Sequence, residues 1–239
     1  MKIQDLAYLL HRRPYRDNSY LADFFTQNHG VVTAVCRGVR SNKKNTLEYF
    51  TLYWVQYGIK NSLAALYQFE PEEPPLNRAQ MIGNKLYCGL YLNELLIKLL
   101  GKHDPYTELF QHYQNALNGI ITEPKIETAL RKFEFQLLKA AGYGILFEKE
   151  ADTHCSIHPE KHYHYRPGTG FLLGNAKAGN IQLFSGKTIM AISQGDFSEE
   201  ETLKDAKLLI RLTFDALFGE ALKSRTLFSN MAKQVTRNL

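Results

Sequence analysis

The chain has 239 residues, 44% hydrophobic and 22% charged, which supplies a packed core and excludes a mostly disordered polymer. Its three cysteines, Cys36, Cys88 and Cys155, stand far apart with no CxxC pair, so a reducing compartment is expected rather than a disulfide framework. The net charge of +5 is carried entirely by Met1 to Lys44, where eight basic residues face three acidic ones, and the rest of the chain sums to zero.

The opening MKIQDLAYLLHRRPYR is too short and too polar for a secretory signal. Residues 1 to about 70 alternate like strands, with candidates at 3–11, 19–26, 31–37, 48–57 and 63–69. Asp17-Asn18 and Asn28-His29-Gly30 read as turns, and Ser41 to Asn45 as a basic loop. Five short strands in this span fit a small closed Greek-key barrel, the OB-fold. Glu70-Pro71-Glu72-Glu73-Pro74-Pro75 then interrupts any regular element and marks a domain boundary, dividing the chain into 1–75 and 76–239.

Beyond the prolines the period turns helical. Residues 78–100 carry a broad apolar face, closed by Gly101 as a C-cap. Their most apolar run, LNELLIKLL (92–100), contains Glu94 and Lys98 and is far shorter than the ~20 apolar residues of a membrane span. A cytoplasmic protein without membrane contact is therefore expected. Further helices are expected at about 105–120 and 124–141, the latter opened by Pro124 and ended by Gly142. Residues 143–195 form a His- and Gly-rich insertion with strand-like pieces at 181–184 and 188–193. Ser198-Glu199-Glu200-Glu201 reads as a capping box opening a helix to about 218, before a basic tail with Lys223, Arg225, Lys233 and Arg237. The fold class is α+β, a barrel followed by a mainly helical domain.

Candidate chemistry lies in three places. The front cations Arg12, Arg13, Arg16, Arg37, Arg40, Lys43 and Lys44 are placed to neutralise phosphates, with Tyr15 as a stacking platform. Composition alone leaves a solvated surface equally open, and strand alternation sends Arg12 and Arg13 to opposite faces. In LRKFEFQLLKAAGYG (130–144), Arg131, Lys132, Phe135, Leu138 and Lys139 combine cations with apolar side chains, which suits an acidic-aromatic peptide; an ordinary amphipathic helix is the plainer reading. His154-Cys155-x2-His158-x3-His162-x-His164 supplies metal-ligand types, but the second half-site of a structural zinc is missing. No cofactor is expected. Asp152, His154 and His158 imitate a hydrolytic centre, yet nothing matches HExxH, GxSxG or a Walker loop, so no catalytic residue is assigned. A metal-dependent nuclease or hydrolase using 152–164, and a general OB-fold RNA binder, are the alternatives.

Four segments in order, LLHRRPYRDNSYLADFFTQNHGVVTAVCRGVR (9–40), LYCGLYLNELLIKLL (86–100) with HDPYTELFQHY (103–113), LRKFEFQLLKAAGYG, and LKSRTLF (222–228), resemble the RecO family of bacterial recombination mediators, proteobacterial branch. The resemblance implies an OB-fold ahead of a helical domain with a zinc-finger-like insertion. It implies binding of single- and double-stranded DNA, annealing of complementary strands, and a nucleoid-associated location. It also implies partners: RecR, the acidic tail of single-strand-binding protein, and functionally RecA and RecF. Many relatives hold zinc with two CxxC pairs after the GYG element; here Cys155 and His158 stand near the first pair and the second is gone, which argues against zinc.

Overall fold

A computed structural model describes residues 2–39, 46–60, 63–72, 78–174 and 182–219, together with Leu222 and Ser224. The chain resolves into two compact units, residues 1–126 with 222–239, and residues 127–221.

The first unit is built on strands β1 (Ile3–Tyr15), β2 (Ser19–Thr26), β3 (Gly30–Arg37), β4 (Leu52–Lys60) and β5 (Leu63–Pro71). They close into a barrel in the order β1-β2-β3-β5-β4, with β3 and β5 parallel and the other pairs antiparallel. This is the expected OB-type barrel. Its interior is filled by Ala7, Leu9, Ala22, Phe24, Val32, Ala34, Cys36, Leu47, Tyr53, Val55, Tyr57 and Ala64. The turn after β2 is held by Asp5: its carboxylate accepts from the Asn28 backbone N–H (3.1 Å) and side-chain amide (2.8 Å), and it pairs with His29 Nδ1 (2.7 Å).

Alternation fails in β1, where Ala7, Tyr8, Leu9 and Leu10 are all buried. Helices α1 (Asn84–Leu99) and α2 (Thr107–Thr122) supply the reason. They cover the outer face of this half of the barrel, so both sides of the strands are dry. Tyr8 and Phe25, opposite one another in the register, meet Phe110 and Tyr113 of α2 at ring separations of 5.1–6.0 Å. A bulge makes Leu10 an extra residue between the Leu9–Phe24 and His11–Asp23 pairs. Asn93 of α1 answers it: its amide donates to the carbonyls of Leu9 (3.4 Å) and Leu10 (3.0 Å), and its Oδ1 accepts from the Tyr113 hydroxyl (2.5 Å). The proline-rich segment thus separates sequence patterns, while the compact unit runs on to residue 126. Glu94 of α1 also accepts from both the backbone N–H (2.8 Å) and the hydroxyl (2.6 Å) of Ser224, so the chain returns to this unit at Ser224.

The second unit contains α3 (Ile126–Ala140), β6 (His162–Arg166), β7 (Gly170–Leu173), β8 (Phe184–Ser185), α4 (Gly186–Ser193) and α5 (Glu200–Phe218). The three strands form one small sheet in the order β7-β6-β8. Helix α3 ends as expected at Gly142, whose positive φ of 83° lets the Tyr143 N–H reach the Leu138 carbonyl (2.8 Å) and its own N–H reach that of Lys139 (3.2 Å).

Four local expectations change. Residues 188–193 are helical rather than a strand, because the Ser185 hydroxyl accepts from the Thr188 N–H (3.0 Å) and caps α4. Helix α1 ends on extended Leu100, and Gly101 is not left-handed. Glu199 rather than Ser198 stands at the cap of α5, since the Ser198 N–H is taken by Asp196 (3.0 Å). Pro124 precedes α3 without entering it.

Candidate nucleic-acid interface

The helices cover only part of the barrel. Past the bulge, β1 emerges from beneath them, with His11, Arg13 and Pro14 exposed and Arg12 half-buried. Cross-strand pairs bring Tyr15 beside Ser19 and Ser19 beside Arg37; one row below, Arg13, Leu21 and Val35 align. Residues two apart on a strand share a face. Arg13, Tyr15 and Arg37 therefore lie on one outer surface spanning three strands. Arg16, left-handed with φ 53° at the turn, brings its guanidinium to 5.4 Å from the Tyr15 ring centroid. The next row down holds Asp23, whose charge is answered by the Thr33 hydroxyl at 2.6 Å and by His11 at 3.9 Å. That row bounds the basic patch.

Arg12 takes the opposite course. Its row is Ala22 and Ala34, on the inside of the barrel. The guanidinium donates to the Leu47 carbonyl and stands over the rings of Tyr20 (5.1 Å) and Tyr49 (5.8 Å). It closes the barrel end instead of projecting with Arg13. Arg40, Lys43 and Lys44 lie outside the described residues, as do Lys223, Arg225, Lys233 and Arg237 of the tail.

In the second unit, α3 distributes its five candidates unevenly. Arg131 is buried against Glu134, with Nε–Oε2 at 2.7 Å and Nη2–Oε1 at 2.8 Å. Leu138 is fully buried. Phe135 is half-buried in an aromatic cluster, 5.6 Å from Phe147 and 6.3 Å from Phe197. Only Lys132 and Lys139 are exposed. Helical period alone cannot show that Phe147 and Phe197 fold over Phe135. Just past α3, Tyr143 (48% exposed) and Leu146 (69%) supply apolar surface that the sequence reading did not single out. The signal was the Schellman turn itself, which projects the residues after Gly142.

The His/Cys segment folds as a tight loop feeding β6. Glu150 is buried, accepts from the Thr153 hydroxyl (2.5 Å) and faces Lys161 Nζ at 3.7 Å. Cys155 is exposed, and His162 and His164 flank fully buried Tyr163 along β6. Among the described residues, no three or more His, Cys, Asp or Glu side chains converge into a metal-holding group. No described helix is long and apolar enough to cross a membrane.

Comparison with known proteins follows this architecture closely. Residues 1–75 match the family model Recombination protein O N terminal, and residues 83–226 match Recombination protein O C terminal. The chain belongs to the recombination protein O family. A DNA repair protein RecO from Coxiella burnetii (strain CbuG_Q212) is 40% identical over 92% of this chain and 95% of its own length. Counterparts from Glaesserella parasuis serovar 5 (40%) and Actinobacillus pleuropneumoniae serotype 3 (38%) each cover 94% of both chains. Recombination protein O membership assigns the chain to DNA repair and recombination. The first family segment ends with the proline-rich stretch at residue 75 and the second begins at residue 83, while α1 and α2 of the second segment dock on the barrel.

Proposed function

We propose that the protein binds single- and double-stranded DNA on the outer face carrying Arg13, Tyr15 and Arg37, and anneals complementary strands there. The observation that carries this reading is the convergence of those three side chains from β1 and β3 on a surface the helices leave open. Annealing requires phosphates to be neutralised while base edges stay available for pairing. Arginines on an open strand surface meet that need, and a single aromatic ring holds a base by its face rather than its edge. No covalent step is called for, and the protein acts as a mediator without catalysis.

The wider role we propose is to work with RecR, and in some settings RecF, at the nucleoid, loading RecA onto gaps coated by single-strand-binding protein. The acidic, phenylalanine-ended tail of that coating protein would meet the second unit, where exposed Lys132 and Lys139 supply charge and Tyr143 and Leu146 supply apolar contact. Family membership and this pairing of charge with apolar surface support the reading.

Annealing of two complementary labelled oligonucleotides, naked and coated with single-strand-binding protein, tests both parts. The wild type accelerates both reactions. Arg13→Ala/Arg37→Ala slows both, and Lys132→Ala/Lys139→Ala slows only the coated one. Acceleration unaffected by either pair contradicts the proposal, and metal-dependent strand cleavage in the same assay would replace it with a nuclease.

A further inference from the structure

The ladder between β4 and β5 slips by one residue. Tyr57 faces Leu66 and Gln56 faces Gln68, which leaves Tyr67 as the extra residue of a bulge. A bulge breaks alternation and turns a side chain in a direction that regular pairing forbids. Tyr67 and Gln68 are accordingly both exposed, Tyr67 by 57%.

An exposed tyrosine alone is ordinary, but three features set this one apart. Its ring settles onto β4 at Gly58, where an added Cβ would come within 2.6 Å of the hydroxyl and 3.0 Å of a ring carbon, so a side chain at 58 would lift the ring away. The Lys2 ammonium stands 5.9 Å from the ring centroid, at the outer reach of a cation–π contact, where it can swing onto a phosphate. Finally, β3 and β5 run parallel with Cys36 beside Leu66, so Arg37 and Tyr67 are the next residues along neighbouring strands. The Tyr15–Ser19–Arg37 row is continued by Tyr67 on β5 and by Lys2 at the start of β1.

We propose that Tyr67 is a second base-stacking platform: single-stranded DNA leaving Arg37 lays a nucleobase on this ring, and Lys2 meets the adjoining phosphate. The inference rests on the DNA-binding reading above and extends the track from β1–β3 onto β5. The bulge presents the ring, Gly58 lets it lie close to the strand, and Arg37 and Lys2 place positive charge on either side. Stacking uses the π-face that every base has, so the platform accepts any sequence.

Binding of a labelled oligo-dT strand at fixed salt tests it. Tyr67→Ala weakens affinity by about five-fold or more, the lower end for one lost base–aromatic stack. Tyr67→Phe binds within about two-fold of wild type, because the ring and not the hydroxyl carries the contact. A second variant, Trp54→Phe/Tyr67→Trp, replaces the chain's only tryptophan and puts an indole at the platform. Its fluorescence is quenched as oligo-dT is added, and it decides the matter should Tyr67→Ala fail to fold. Wild-type affinity in Tyr67→Ala, equal losses in the alanine and phenylalanine variants, or an unquenched indole would each overturn the platform while leaving DNA binding intact. A wild-type protein that does not bind oligo-dT would instead overturn the DNA-binding reading, and this inference with it.

Discussion

One residue of register sends two neighbouring arginines to opposite sides of the barrel wall. Arg12 and Arg13 have the same chemistry, but Arg12 donates to the Leu47 carbonyl and stands over the Tyr20 and Tyr49 rings, while Arg13 stands on the exposed face. Arg12→Ala strands a carbonyl and removes a charged hydrogen bond, at a cost of about 1.5–3 kcal/mol. Arg13→Ala stays within about 0.5 kcal/mol, as exposed substitutions do. Urea unfolding of the two variants checks this, and equal costs would contradict the placement of Arg12. Cysteines give a second residue-scale test. Burial pushes the Cys36 thiol from 9.0 up to about 12, whereas Cys155 is exposed. An alkylating reagent at mild pH modifies Cys155 in the native protein and reaches Cys36 only as the barrel unfolds. Rapid native labelling of Cys36 would show that the barrel interior is open.

Among elements, α1 matters most, because its one buried amide ties three parts together. Asn93→Ala leaves the Leu9 and Leu10 carbonyls and the Tyr113 hydroxyl without their partner, and we expect a loss of about 2–3 kcal/mol in urea unfolding. A loss below about 0.5 kcal/mol would mean that apolar packing alone docks the helix. This docking is also where reading from sequence stopped. Period 2 located the barrel strands and period 3.6 the long helices, since both are local properties of the chain. Neither period says which outer surface a helix covers. The signal was nevertheless present: Leu9-Leu10, Phe24-Phe25 and Val31-Val32 are adjacent apolar pairs that violate alternation, and all six side chains are buried. Strands dry on both faces read that way. The basic patch was legible in Arg13, Tyr15 and Arg37, but Arg12 needed the register after the bulge. Tyr67 was invisible, because a bulge depends on how β4 and β5 pair and not on either strand alone. On α3, the helical face was readable, while the half-burial of Phe135 depended on distant Phe147, Phe197 and the sheet.

For the molecule as a whole, buried phenols set a limit on alkaline stability. Burial, helped by Asp5, moves Tyr57 from 10.0 to about 12, and burial raises Tyr8, Tyr53, Tyr113 and Tyr165 in the same direction. With Cys36 also raised, the unfolded chain releases these protons first, so it binds fewer than the native state above about pH 9. The stabilisation from these groups is complete below that pH and is lost as pH rises toward 12. The urea midpoint should hold steady from about pH 7 to 8 and fall by about pH 10.5; a midpoint that does not fall would contradict the burial of these side chains. The same architecture concentrates charge on one open barrel face, and the proposed function places partner contacts on the second unit. In the proposed function, Arg13 and Arg37 neutralise DNA phosphates on that face. The direct measurement is the salt dependence of single-stranded DNA affinity in wild type and in Arg13→Ala/Arg37→Ala. Two lost phosphate contacts flatten the slope of log K against log salt by about 1.4 and weaken every sequence alike. An unchanged slope would show that the DNA lies elsewhere.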